Sequence, residues 1–302
     1  MKIVQCIPNF SEGRRPEVIA QIVSALESGN GITLLDVKSD RDHNRVVVTF
    51  VGDPEAVGEA VFRGTAMATK LIDMNTHRGE HPRMGATDVV PFVPLQGATM
   101  EDCQALAAEV GARIARELAI PVYLYERSAR TPARRNLADV RRGEYEGIKE
   151  EIATNPERTP DFGPSAIHPT AGATAVGARP PLVAFNINLD SSDVKIAKAI
   201  AKAVRESSGG LPAVKGLGLM LEATNQAQIS MNMVDYTVTG LHTVFEAIKR
   251  EATKHGVTVA NSEVIGLLPA QALIDVAVHC LALKDFSPAQ VLELKLAARH
   301  EG

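Results

Sequence analysis

The densest run of reactive side chains in this sequence is HRGEHPRMGATD, from His77 to Asp88. Imidazoles, carboxylates and guanidiniums this close together can bind a cation, hold an anion or move protons. Taken as a bare pattern, His77-Arg78-Gly79-Glu80-His81 is H-x-x-E-H, a zinc-peptidase signature that needs both histidines on one helical face. Its neighbours argue against that chemistry. Gly79 sits inside the motif, and Pro82 pushes the preceding residue out of helical geometry, so the helix would end where its second ligand must be held. A solvated polar loop is the plain alternative. The third reading is a rigid loop that presents one base, His81. Pro82 and Gly85 would fix the backbone, while Glu80, Arg83 and Asp88 would orient the imidazole and tune its pKa. An imidazole with an ordinary pKa near ~6.5 accepts a proton from one group and returns it to another near neutral pH. Such a site suits transfer of a one-carbon unit from amine to amine.

A second polar region is the Gly/Pro/Ala-rich stretch GPSAIHPTAGATAVGARPP from Gly163. It reads either as an interdomain linker or as a binding loop. In the second case Gly163, Gly172 and Gly177 allow close backbone approach, and Ser165 and Thr170 offer polar groups to a flat heterocycle. Just before it stand Arg127, Arg130, Arg134, Arg135, Arg141 and Arg142. These form either a solvated face or an attractor for carboxylates, which guanidinium forks grip in pairs. Asn186, Asn188, Gln228, Ser230 and Asn232 are equally consistent with facing solvent or facing a ligand. The sequence has no convincing G-x-G-x-x-G, P-loop, G-x-S-x-G or Cys-His nucleophile arrangement.

Positioning these groups needs a scaffold, and 302 residues are enough for two domains. Hydrophobic residues at 45% and charged residues at 23% are ordinary for a globular chain. Aromatics are only 4% and Trp is absent, so the core rests on Ala, Val, Ile and Leu. A net charge of -4 argues against a wholly nucleic-acid-binding surface, so an anionic ligand must find a local basic pocket. Cys6, Cys103 and Cys280 lie far apart in apolar segments and read as small core residues, with no disulfide framework. The N-terminus lacks a signal-peptide core and no apolar run approaches membrane-spanning length, which makes a cytoplasmic, soluble protein the expectation.

The periodicity predicts strands at Ile3 to Ile7, Ile32 to Val37, Arg45 to Val51, Asp88 to Pro94 and Pro121 to Tyr125. It predicts helices opening at Pro16, at Asp53-Pro54 and at Thr99, where Asp102 completes a capping box. From Glu126 to Pro181 the chain reads as irregular. Beyond it come a strand (Leu182 to Asn188), a helix (Ser191 to Val204), strands near Val214 to Leu221 and Gln228 to Val234, a helix (Leu241 to Lys254), a strand (Val257 to Gly266), and helices at Pro269 and Ser287-Pro288. The order β-α-β-β-α-β is the split, ferredoxin-like arrangement. The expected fold is therefore α/β (α+β), with two ferredoxin-like-type subdomains, each a mixed sheet with helices on one face.

Longer stretches carry a resemblance. CIPNFSEGR at Cys6, TLLDV at Thr33, NRVVVTFVG at Asn44 and LIDMNTHRGEHPRMGATDVVPFVPL at Leu71 resemble the glutamate formimidoyltransferase family. So do PVYLYE at Pro121, PDFGPS at Pro160 and AFNINL at Ala184. The resemblance implies subdomains 1–179 and 180–302 with stacked sheets, assembled as a homodimer. It implies transfer of the formimidoyl group of N-formimidoyl-L-glutamate to N5 of the co-substrate tetrahydrofolate, a step of histidine breakdown; that no metal is involved is expected from Pro82 and Gly79. By its motif the catalytic histidine is His81. The folate-contacting stretch is Gly163, Pro164, Ser165, Ala166, Ile167, His168, Pro169, Thr170, Ala171 and Gly172. Animal members carry a fused cyclodeaminase domain; here that step is expected of a separate enzyme. Animal members also have an aromatic at the position of Ala171 and a small apolar residue at that of His168. The loop SDRDHN before Arg45 differs from them in charge, which bears on recognition of the glutamyl substrate. Formyl transfer between 5-formyltetrahydrofolate and glutamate is the related alternative. A non-enzymatic folate-binding module and a zinc hydrolase are the alternatives of other classes.

Overall fold

The computed structural model describes residues 1–41, 43–79, 81–221 and 224–297, so Glu80 lies outside the described residues. The chain divides into two compact units, Met1–Pro180 and Pro181–Gly302.

The first unit runs β1 (Val4–Cys6), β2 (Asn9–Phe10), α1 (Pro16–Glu27), β3 (Ile32–Asp40), β4 (Arg45–Gly52), α2 (Pro54–Leu71), β5 (Thr87–Pro94), α3 (Met100–Leu118), β6 (Val122–Glu126), α4 (Leu137–Val140), α5 (Glu144–Glu151) and β7 (Thr174–Ala178). The helices start where the sequence signals. Pro16 opens α1, Asp53 accepts from the Ala56 N–H at the head of α2, and Thr99 with Asp102 forms the capping box of α3. Strands β1 and β2 act as one interrupted strand between β4 and β5: Val4 pairs with Gly52 and Pro94, and Asn9 with Val47 and Val89. Pro8 lies at the break, where a residue without an N–H cannot continue the ladder. β3 joins antiparallel to β4, while β5, β7 and β6 run parallel.

The stretch expected to be irregular is largely built. It holds α4, α5 and a complete interior strand, β7, that pairs with β5 on one side and β6 on the other. Its sequence, TAVGA, is poor in the large β-branched residues that announce strands, because there is little room for them. A Cβ on Gly177 would fall 2.4 Å from the Tyr125 carbonyl. Helices also cover this end of the sheet on both faces rather than one. Along β6, Val122 and Leu124 belong to the core under α1–α3, and the alternating Tyr123 and Tyr125 pack with Val140, Ile148 and Ile152 of the supposed linker.

The second unit comprises β8 (Val183–Leu189), α6 (Val194–Val204), β9 (Val214–Leu221), β10 (Gln226–Met233), α7 (Leu241–Lys254), β11 (Val259–Ile265), α8 (Ala270–Cys280) and α9 (Leu292–Ala297). The strand order β11-β8-β10-β9 is that of the split βαβ arrangement, antiparallel throughout rather than mixed. One face packs Phe185, Ile187, Ile229 and Met231 under α6 and α7. The opposite face is polar: Gln228 Nε2 donates to Asn188 Oδ1 (2.9 Å), and Asn186 Nδ2 to Glu263 Oε1 (3.1 Å). Cys6 and Cys103 are buried as expected, but Cys280 is exposed. It ends α8, a helix on which Ala272 alone is fully buried, so an apolar neighbourhood in sequence did not mean a core position. Ser287-Pro288 opens a single 3-10 turn, Pro288–Gln290, before α9. Among the described residues no helix is long and apolar enough to cross a membrane.

Candidate active site

Residues 72–86, apart from Glu80, carry no helix and link α2 to β5. This loop is held at many points. The Ser11 hydroxyl donates to the Gly85 carbonyl (2.7 Å), and Met74 N and Ala86 N donate to the carbonyls of Thr170 and Ala171 (both 2.8 Å). Gly79 lies flat against the turn between β3 and β4, where a Cβ would meet the His43 carbonyl at 2.3 Å. No other residue fits there without moving backbone.

Asn44, at positive φ in that turn, knots three segments together. Its Oδ1 accepts from Gly13 N (2.9 Å), its Nδ2 donates to the Arg78 carbonyl (2.9 Å), and its own carbonyl meets His77 Nε2 (3.0 Å). Arg83 Nε donates to His77 Nδ1 (3.4 Å), and its guanidinium is gripped by Glu144 and Glu146 of α5 at 2.7 Å each. Since Arg83 can only donate, His77 carries its proton on Nε2 and gives it to Asn44. Both ring nitrogens of His77 are thereby occupied. Burial, the largest cause, holds its pKa below the ordinary imidazole value. In this arrangement neither His77 nitrogen is left open toward the H-x-x-E-H partner His81, since Asn44 and Arg83 engage them both.

His81 has different company. Arg45, the first residue of β4, donates from Nη1 to His81 Nε2, so the neutral ring keeps its proton on Nδ1. Arg141, just past α4, also acts on the ring by its charge. It is paired with the buried Asp88, whose Oδ1 also accepts from Met84 N (2.9 Å). Burial is the first cause, followed by the charges of Arg45, Arg141 and His43, and together they lower the His81 pKa to about 3. The resting imidazole is a neutral acceptor, where an ordinary value was expected. Burial likewise lowers the pKa of Arg45 from the usual guanidinium value.

Of the residues expected to support His81, Arg83 thus turns to His77 and α5, and Asp88 stands behind Arg141. In the sequence Arg141 is one of a group that reads either as a solvated face or as an attractor for carboxylates. Most of that group is committed locally: Arg134 pairs with Asp161 (2.6 Å), and Arg130 stacks over Phe162 at 4.5 Å. Sequence reasoning gave Arg45 and Asn44 no individual role. Their signals were the charged loop SDRDHN, which ends at Asn44, and the β-branched run RVVVTFVG that Arg45 heads.

The segment Gly163–Gly172 runs from an exposed end, Gly163 to Ala166, to a buried end at Ala171 and Gly172. The buried end packs on the histidine loop: Gly172 bridges to Gly85, and Asn75 Nδ2 donates to the Pro169 carbonyl (2.8 Å). Inside the segment His168 Nδ1 accepts from Ala171 N (2.9 Å) and Thr170 N (3.3 Å). His168 therefore shapes this turn and keeps its other nitrogen, Nε2, as a donor.

Two family models match the chain: "Formiminotransferase domain, N-terminal subdomain" over residues 3–179 and "Formiminotransferase domain" over residues 184–294. A glutamate formimidoyltransferase of Streptococcus pyogenes is 53% identical over 97% of this chain and 98% of its own. One from Thermoplasma acidophilum is 46% identical over 98% of both. The formimidoyltransferase-cyclodeaminase of Mus musculus is 48% identical over all of this chain, which spans 57% of that longer protein. With two domain models and full-length relatives in agreement, the chain belongs to the formiminotransferase family.

Proposed function

We propose that this chain transfers the formimidoyl group of N-formimidoyl-L-glutamate to N5 of tetrahydrofolate, releasing L-glutamate and 5-formimidoyltetrahydrofolate in histidine degradation. The observation that carries the reading is the half-buried His81 imidazole, held neutral by a guanidinium contact from Arg45 and the nearby charge of Arg141. Units 1–179 and 180–302 serve as the N- and C-terminal formimidoyltransferase subdomains of a cytoplasmic homodimer.

The donor brings carboxylates to Arg45 and Arg141, which then release the ring. With Arg45 turned to an anion, Nε2 of His81 is free to accept, and compensation of the positive charge raises its proton affinity at the moment it is needed. N5 attacks the formimidoyl carbon and becomes cationic in the tetrahedral adduct. His81 removes that proton, and the glutamate nitrogen must gain one before it can leave as an amine. The pterin and its linker lie along Gly163–Gly172, whose buried end abuts the histidine loop. No metal takes part.

The test is direct. Purified protein, formimidoyl-glutamate and tetrahydrofolate should give 5-formimidoyltetrahydrofolate and glutamate in equal amounts. Inactivity with that pair, together with activity on 5-formyltetrahydrofolate and glutamate, would move the assignment to formyl transfer.

A further inference from the structure

One nitrogen must lose a proton and another must gain one, yet His81 lies among the charges of Arg45 and Arg141 and rests neutral. A second imidazole stands beside it. The His43 ring is 6.0 Å from the His81 ring, centroid to centroid, edge to face at 74°. It rides the tip of the β3–β4 turn, two residues before Arg45, and the fit of Gly79 against its carbonyl clamps that tip to the His81 loop. Asp40 holds His43 twice: Oδ2 lies 3.1 Å from the ring Nδ1, and Oδ1 accepts the His43 backbone N–H at 2.8 Å. A carboxylate on Nδ1 orients the ring and leaves Nε2 as the working nitrogen. The side chains of His43 and Asp40 are 46% and 48% exposed, so the pair exchanges protons freely with water.

We propose that His43, oriented by Asp40, is the general acid of the transfer and protonates the departing glutamate nitrogen, while His81 is the base. This rests on the reading of His81 given above. The balance closes. The N5 lone pair forms the new N–C bond and the C=N π pair moves onto the formimidoyl nitrogen. His81 takes the N5 proton. The C–N bond to glutamate then breaks, its electron pair goes to the glutamate nitrogen together with the His43 proton, and the formimidoyl C=N bond reforms. Each turnover leaves His81 with one proton more and His43 with one fewer. Passage between the two rings through a water, or exchange at the exposed His43, resets both.

The test compares His43→Gln, His43→Ala, Asp40→Asn and His81→Ala in the full-length protein, following turnover, folate binding and thermal unfolding. His43→Gln should lower kcat by about 10²-fold, the low end for a lost acid or base, with folate affinity within about twofold of the parent. Asp40→Asn should lose less than His43→Gln. Added imidazole should restore turnover of His43→Ala in a saturable way, which a residue with a merely structural role would not allow. His43→Gln within about threefold of the parent kcat, or His43→Ala unaffected by imidazole, overturns the proposal. If His81→Ala is inactive while His43→Gln is intact, the His43 assignment fails alone; if His81→Ala is also active, the reading of His81 fails first.

Discussion

The two ends of the 77–81 stretch treat a histidine in opposite ways. At one end the His77 ring gives its proton to the Asn44 carbonyl and takes one from Arg83, which two carboxylates of α5 pin in turn. At the other end a single arginine, Arg45, lies against Nε2 of His81, and Arg141 adds its charge. Neutral hydrogen bonds to backbone hold a ring permanently. Two carboxylates grip Arg83, whereas the contact from Arg45 is the one that an arriving anion would displace in the proposed function. Four residues of sequence separate a ring with both nitrogens engaged from the ring that moves protons in the proposed function, and the difference lies in their partners rather than their residue type.

That contrast can be broken by mutation. His81→Ala should lower kcat by about 10²–10⁴-fold, the usual worth of a general acid-base group, with folate affinity close to the parent. Steady-state kinetics beside a folate-binding titration measures both. Arg45→Gln should come next. Losing a hydrogen bond to a charged group costs about 1.5–3 kcal/mol, so kcat/KM for formimidoyl-glutamate should fall about 10–100-fold with a smaller change in folate binding.

His77→Ala should show the reverse pattern. It leaves the Asn44 carbonyl without its ring partner in a buried site, a loss of about 1–3 kcal/mol in stability by urea unfolding. Its kcat should fall less than tenfold, and a larger loss than that of His81→Ala would erase the distinction between the two ends. The smallest effect expected is none: dialysis against a strong chelator should leave activity unchanged. Stoichiometric zinc lost together with activity would return the H-x-x-E-H pattern to consideration.

Much of this was legible in residues whose neighbours in sequence fix their fate. Pro82 and Gly79 told against a helix, and the loop is not helical. Thr99 with Asp102, Pro16 and the β-branched run after Arg45 marked their elements correctly. What was hidden depends on partners far along the chain. β7 is a strand of small residues because Tyr125 crowds it, and nothing within Thr174–Ala178 says so. Arg141 reads as one of six arginines until Asp88, 53 residues away, selects it. Asn44 is one polar turn residue among several until Gly13 and the 77–79 loop close on it from either side. The His81 pKa follows the same rule, since burial and two distant arginines set it.

The central claim is that His81 rests as a neutral acceptor held by Arg45 and becomes a proton carrier when a carboxylate displaces that arginine. Titration of the His81 ring proton by NMR tests it most directly. With its pKa lowered to about 3, His81 in the free protein should stay neutral as pH falls from 7 to about 4, where an unfolded imidazole protonates near ~6.5. The unfolded chain therefore binds the extra proton in that window, and this group's share of stability falls as pH drops through it. Saturation with glutamate, the donor's dicarboxylate half, should move the His81 titration upward by more than a unit, and Arg45→Gln should raise it without any ligand. A His81 resonance that titrates near pH 6.5 in the free protein and does not move with glutamate would contradict the account.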